Sequence, residues 1–362
     1  MLDGVTIQNF RLFEQFSIDN LARVNLIVGK NNVGKSSLLE ALYLMVNQDL
    51  PETLIKILEE RGEYVFSDEN IHSRGYQINH IFHGHSLEHE TSILIQSQNV
   101  IPLGIRLTYI QEPEQLAMFP NINIRYSKLY LRQPRSSTYI KLECLGRTQN
   151  VHVDILEDVL DISNDFSRSK LQNYTSSVNY ITTKRIDYDE LAGLWDNITL
   201  TPKEEDVIRM LQIIEDNIDR ISFQSHPNSN KGILIKHKTL THPIPLGSMG
   251  DGMHHILAIA MNLANSENGY LFVDEIDTGL HYRTMTDMWR VIFQTAERLN
   301  IQVFATTHSA DCINAFSEAL TEEAHHHVGK LFRLERRGEQ ISAVDYDYQD
   351  LAIATSEEIE VR

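Results

Sequence analysis

The sequence predicts an α/β protein with a strand-rich insert, and three observations carry that expectation. An apolar strand candidate at 23–28 runs into Gly29-Lys-Asn-Asn-Val-Gly34-Lys35-Ser36, and a helical pattern follows at once. The last third of the chain alternates short apolar runs with helix-period segments, as layered α/β domains do. From about residue 61 to 150 the period shortens to two, the pattern of antiparallel strands joined by polar turns.

In chain order, the opening MLDGVTIQNFRLFEQFSI alternates apolar and polar residues in short pieces, as paired strands do. After the Gly-rich loop, Leu38, Ala41, Leu42 and Met45 fall at helical spacing. Pro51–Glu60 reads as a short helix, with Pro51 suited to its first turn. Strands are expected at Thr91–Ser97, Gly104–Ile110, Asn123–Leu131 and Ser137–Cys144. Val151–Asn173 reads as a helix and then a loop, and Val178–Thr182 as a strand. Helices at Tyr188–Trp195 and Pro202–Asp216 precede strands at Arg220–Phe223 and Gly232–Lys238. Met253 to Ala264 and Met285 to Ala296 are amphipathic helices, and Tyr270–Val273 and Ile301–Ala305 are buried strands. No internal repeat is visible, and no heptad pattern persists for several turns.

The 362 residues allow one large domain or two of ordinary size. With 42% hydrophobic and 23% charged residues, wholesale disorder is excluded. No apolar run reaches the roughly 20 residues of a bilayer span, and the N-terminus reads as no secretory signal. Cys144 and Cys312 cannot build a disulfide framework, so a reducing cytoplasm is the expected home. Against 50 acidic side chains stand 32 basic ones, a net charge of −18. That balance disfavours duplex DNA as the main ligand, leaving only a local basic patch around Arg333, Arg336 and Arg337.

Four motifs carry chemistry. The loop from Gly29 to Ser36 fits GxxxxGK[ST], in which backbone N–H groups curl around phosphates at a helix N-terminus. Its candidate phosphate-binding residues are Gly29, Asn31, Asn32, Gly34, Lys35, Ser36 and Ser37, with Lys35 on the outer phosphates and the Ser36 hydroxyl on Mg²⁺. Tyr270-Leu-Phe-Val ends in Asp274 and Glu275, a carboxylate for the magnesium shell and a second to polarise water. The plain alternative is a strand running into an acidic turn. Ile301–Ala305 leads into Thr-Thr-His308-Ser309, which places His308 to contact a γ-phosphate from a strand end. Ser248 and Gly250 precede the helix near Met253 as a second anion-binding element, or as a helix start capped by Ser248 or Asp251. His80, His83, His85 and His89, and the run His325–His327, read as His-rich polar loops rather than a metal site.

Taken together, these motifs occur in the order found in ABC-type ATPases. Thr6-Ile-Gln-Asn-Phe10-Arg11-Leu-Phe resembles the first hairpin of the SMC and RecF group. Ser248-Met-Gly-Asp-Gly252, Asp274-Glu-Ile-Asp-Thr-Gly-Leu-His281 and Thr307-His-Ser resemble the ATPase part of OLD-family proteins. Similar ATPases pair with nucleases in anti-phage systems of the PARIS, Septu and Gabija kinds. The resemblance covers about 1–47 and 178–318, with His281 where transporters carry an aspartate and no Q-loop glutamine assignable. It implies an ABC-type head built from 1–60 and 178–362, a mixed sheet with flanking helices, and an inserted α+β lobe at 61–177. It further implies a nucleotide-switched dimer that binds ATP and Mg²⁺, Ser248 and Gly250 serving the partner head's nucleotide. No Toprim nuclease is expected after residue 318, so the chemical output is assigned to a separate nuclease effector. A RecF-like repair ATPase that binds DNA directly is the alternative, and a module that binds ATP without turnover a third.

Overall fold

A computed structural model of the chain describes residues 1–47, 50–67, 70–85, 92–97, 104–110, 138–145, 154–156, 159–161, 177–224, 232–357 and 361. The expected strand at 123–131 lies outside them. Strands β1 (Val5–Phe10) and β2 (Phe13–Ile18) form the opening hairpin, followed by β3 (Val24–Val28) and helix α1 (Lys35–Val46). Helix α2 (Leu50–Arg61) leads to β4 (Tyr64–Ser67), β5 (Asn70–Gln77), β6 (Ser92–Ser97), β7 (Gly104–Ile110) and β8 (Thr138–Leu145).

Where a helix was expected after Val151, the chain forms β9 (Asp154–Leu156) and β10 (Val159–Asp161). The physical reason is long-range pairing: β9 bonds to β8, and β10 to β9 and β5. A sheet partner outweighs a weak helical pattern.

The chain continues through β11 (Val178–Ile181), α3 (Tyr188–Ile198), α4 (Lys203–Gln212), β12 (Ile218–Gln224), β13 (Gly232–His237) and β14 (Ile244–Pro245). Helix α5 (Asp251–Ala264), β15 (Tyr270–Val273), α6 (Tyr282–Arg298), β16 (Gln302–Thr306) and α7 (Ala310–Leu320) then alternate as expected. Strands β17 (Gly329–Arg337) and β18 (Gln340–Tyr346) and helix α8 (Tyr348–Ser356) close the described structure.

The result is a mixed α/β fold. Its central sheet runs β11-β15-β16-β3-β17-β18, parallel up to β17, with β18 antiparallel at the edge. Strands β3 and β16 are buried along their whole length, which is why they read as continuous apolar runs rather than alternating ones. Alternate side chains feed two cores. Leu26, Val28 and Val273 meet Met253 of α5, Trp289 of α6 and Phe316 of α7 on one face. Ile27, Phe272 and Phe304 meet Leu38 and Leu42 of α1 on the other, with the Phe272 and Phe304 rings stacked 5.3 Å apart.

Helix α1 is sandwiched, touching β15 and β16 of the central sheet and β1 and β6 of a second sheet. That sheet runs β2-β1-β6-β7-β8-β9-β10-β5-β4, so strands from 61–177 hydrogen-bond directly onto the opening hairpin. A third sheet, β12-β13-β14, leads into the start of α5. No helix among the described residues is long and apolar enough to cross a membrane.

Candidate active site

Because β15, β16 and β3 are parallel neighbours, the segments that follow them emerge at one edge of the sheet. Ligands of open α/β sheets bind beyond such carboxyl ends. The turn after β3 is the Gly-rich loop, that after β15 holds Asp274 and Glu275, and that after β16 holds His308. The three sequence motifs are therefore brought together by strand order, with β16 between the other two strands.

The Gly-rich loop has the conformation its glycines permit. Gly29 and Gly34 take φ of 140° and 97°, and Asn32 takes 65°. A Cβ at Gly34 would stand 2.9 Å from Phe13 Cζ, and one at Gly29 2.7 Å from the Leu334 carbonyl, so both positions exclude larger residues. Gly34 opens α1 without any side-chain cap, leaving the first N–H groups of that helix for an anion. Asn31 and Asn32 are exposed at the loop tip, and Ser36 is half-buried on the first turn of α1. Ser37 is buried, and its hydroxyl accepts a hydrogen bond from Arg61 at 3.4 Å.

Lys35 curls back over the loop, its Nζ donating to the carbonyls of Gly29 at 2.7 Å and Lys30 at 3.1 Å. Burial lowers the pKa of its ammonium, while the fields of Asp274 and Glu275 pull it back up. The cation thus already feels both carboxylates across the sheet edge. Glu275 carries a backbone φ of 52°, an unusual left-handed conformation for a glutamate. Its carboxylate lies 3.5 Å from His308 Nδ1, and both side chains reach solvent. Ser309, next in sequence, caps α7 by accepting from the Cys312 N–H, which fixes where His308 leaves the strand.

A buried group beneath these residues was not singled out in the sequence. Thr306 and Thr307 are fully buried. Thr306 Oγ1 donates to Asp274 Oδ1 at 2.5 Å and accepts from the Glu275 N–H at 2.9 Å. Thr307 Oγ1 donates to Asp277 Oδ1 at 2.5 Å. The available signal was two hydroxyls ending an otherwise apolar strand.

Ser248 and Gly250 are exposed on a short turn (Leu246–Met249) and at the entry to α5. The N-cap of α5 is Gly250, at φ 91°, with no side-chain cap, so neither Ser248 nor Asp251 closes the helix end. Gly252 packs so closely under the 277–280 turn that a Cβ would stand 2.5 Å from the Gly279 carbonyl. His255 Nε2 also contacts the Ile276 carbonyl at 3.0 Å, tying the α5 entry to the segment after Glu275. On the same helix turn, His254 Nε2 lies 2.5 Å from the Arg185 guanidinium. Burial, and then Arg185, lower the His254 pKa, so the neutral imidazole accepts from the arginine. His281 caps α6, its side chain accepting from the Arg283 N–H at 3.3 Å.

The residues present fit a magnesium nucleotide. The loop glycines leave no room for side chains, a lysine sits inside the curl, and a half-buried carboxylate with one oxygen already held faces the same edge. Elsewhere, the basic residues near the C-terminus are less free than their sequence suggested. Arg333 and Arg337 both pair with Glu335, and Arg336 donates to the Gly338 carbonyl. Among the described residues no group of three or more His, Cys, Asp or Glu side chains is arranged to hold a metal ion. His80 and His85 meet each other at Nδ1, 3.3 Å apart, and His83 meets the Arg11 carbonyl, while His89 lies outside the described residues. His325 meets the Ala319 carbonyl, His326 stacks on Tyr348, and His327 pairs with Glu297.

A family described as "AAA ATPase domain" matches residues 1–199 and 153–313. A Helicobacter pylori protein named "ATP/GTP phosphatase" is 24% identical over 372 aligned positions, covering 97% of each chain. Among solved structures, an SMC head bound to the C-winged helix domain of ScpA aligns over 99% of both chains with TM-score 0.47 and 11% identity. The SMC head domain of Thermotoga maritima aligns over 96% of this chain and 99% of its own, with TM-score 0.44 and 11% identity.

Proposed function

This chain belongs to the AAA ATPase domain family, and on that premise we propose that it hydrolyses ATP with Mg²⁺ as a nucleotide-switched dimer. The observation that carries the reading is the convergence of Lys35, Asp274, Glu275 and His308 at the carboxyl ends of β3, β15 and β16. Ser36 and Asp274 are the residues that would hold Mg²⁺, which would supply charge neutralisation at the outer phosphates. The N–H groups of the Gly29–Ser37 segment hold the phosphates, and Lys35 exchanges its loop carbonyls for phosphate oxygens. Glu275 orients and deprotonates the attacking water, and His308, beside it, contacts the γ-phosphate. The Helicobacter protein's name points to the same chemistry.

We assign the head to 1–60 and 178–362 and an inserted lobe to 61–177, whose described strands are β4 to β10. The uncapped, exposed entry of α5 supports a role for Ser248 and Gly250 toward a nucleotide held by a second copy. ATP is then part of the interface, and binding favours the closed dimer by mass action. The OLD-like motifs support a cytoplasmic regulatory subunit of an anti-phage system that acts through a separate nuclease. DNA is a secondary partner at most, given the −18 charge and the pairing of Arg333 and Arg337.

Glu275→Gln tests the switch. The amide keeps shape and a hydrogen-bonding oxygen but loses basicity, so ATP stays unhydrolysed and closed dimers accumulate with ATP and Mg²⁺. Ser248→Arg in the same chain prevents closure. Light scattering reads the mass, and a distance probe across the heads reads closure if the chain is already dimeric. If Glu275→Gln neither traps ATP nor closes the heads, the proposed mechanism is wrong.

A further inference from the structure

We propose that Thr306 is a positioning residue for ATP hydrolysis, acting through Asp274 and Glu275 by a single buried hydroxyl; this rests on the ATPase reading above. The hydroxyl serves two masters. Its proton goes to Asp274 Oδ1, and its lone pair takes the Glu275 N–H. A hydroxyl has one proton to give, so the two bonds fix each other's direction. By donating to Oδ1, Thr306 orients the carboxylate of Asp274 from the end of β16.

Glu275 needs such support. A left-handed φ of 52° is strained for a glutamate, and it persists only when its surroundings hold it. Thr306 brackets the residue from both sides: its side chain takes the Glu275 N–H, and its carbonyl takes the Ile276 N–H at 3.0 Å. The Glu275 carbonyl is in turn held by the N–H and hydroxyl of Thr278, at 3.0 and 2.8 Å. The main-chain bonds survive any substitution at 306. The hydroxyl bonds do not, so the aim of the two carboxylates depends on them.

The placement also explains why strand order matters. Strand β16 is the direct neighbour of both β15 and β3, with Thr306 opposite Ile27 in register. Only a residue at the end of β16 is adjacent to the acidic turn on one side and to the strand that feeds the phosphate loop on the other. Thr306 therefore sets the carboxylates in the same frame as the loop. Thr307, one residue on, repeats the contact on Asp277 and extends the clamp along the turn.

The test uses Thr306→Val, which keeps the shape and removes the hydroxyl, and Thr306→Ser, which keeps the hydroxyl. Full chains are measured for kcat, for the Kd of a fluorescent ATP analogue, and for the Mg²⁺ concentration giving half-maximal turnover. Misaiming a reacting group by an ångström costs about a hundredfold, so Thr306→Val should lose about that in kcat. Its nucleotide Kd should stay within about threefold, since the loop and Lys35 are intact. Its Mg²⁺ requirement should rise, and Thr306→Ser should restore kcat to within about threefold of wild type. Circular dichroism reports the fold of each variant, and if Thr306→Val is unfolded, Thr306→Ala takes its place with the same expectations. The proposal is overturned if the folded hydroxyl-free variant keeps kcat within about threefold of wild type. It is equally overturned if nucleotide affinity is lost in step with kcat, or if the folded serine variant is as slow as the valine one. A wild type that shows no turnover overturns the ATPase reading itself, a result distinct from all of these.

Discussion

Replacing Arg11 with methionine should destabilise the chain more than any surface charge change, and by an amount that depends on pH. Arg11 sits in the tight turn after β1, at φ 50°, with its side chain only 4% exposed. Its Nε lies 2.5 Å from Glu40 Oε2, without the alignment of a hydrogen bond, so that contact is Coulombic. Its two terminal nitrogens bind both oxygens of Glu63, at 2.8 and 3.0 Å. Glu40, on α1 of the phosphate loop, is buried and keeps Arg61 on its other oxygen at 2.6 Å. Arg11→Met fills the same space but leaves a buried carboxylate half-compensated, which typically costs about 3–5 kcal/mol. For a chain of 362 residues that is roughly 4–7 °C in Tm.

The pH dependence follows from the sign of the Glu40 shift. Burial raises its pKa above the usual carboxylate range, while Arg11 and then Arg61 pull it down. A raised folded pKa contributes stability that is complete below the unfolded value and is lost as pH rises through the folded one. Removing Arg11 raises the folded pKa further. The deficit of Arg11→Met should therefore be greatest near neutrality and shrink as pH falls through the raised pKa of Glu40. Urea unfolding of wild type and variant across the range from about pH 8 to about pH 5 measures it. A second substitution, Glu40→Gln, should recover much of the loss in a double-mutant cycle. A deficit under about 1 kcal/mol, as for a solvated pair, or one that does not change with pH, would refute the reasoning.

Two further outcomes follow from the site. Lys35→Ala should leave circular dichroism unchanged while ATP turnover drops below about a tenth of wild type, because the lost charge acts on the transferring phosphoryl group. Higher turnover in a folded variant would remove Lys35 from the mechanism. The purified chain should not cleave DNA with divalent ions; nuclease activity that follows the chain through size exclusion and survives Lys35→Ala would disprove the need for a separate effector.

The local pieces of the site are legible in the order of residues alone. A Gly-rich loop between an apolar strand and a helix is legible because its backbone conformations and its flanking periods are properties of adjacent residues. For the same reason, Tyr270–Val273 matches its expected bounds, and β16, α5 and α6 are found within a few residues of theirs. Buried parallel strands announce themselves as unbroken apolar runs, and the carboxylates and histidine that follow them mark their ends.

What those pieces face follows from the packing of segments distant in the chain. That β16 inserts between β15 and β3 is a matter of strand order, which no local period encodes. Thr306 therefore looked like part of a polar strand end, and only the neighbouring strand supplied Asp274 and Glu275 as its partners. Arg11 looked like a hairpin residue, and its burial with Glu40 and Glu63 required α1 to be sandwiched between two sheets. The misread helix after Val151 has the same origin, since its strands exist only through bonds to β8 and β5. Backbone conformation is chosen over a few residues, but a hydrogen-bond or ion-pair partner is chosen by the packing of segments far apart in the chain.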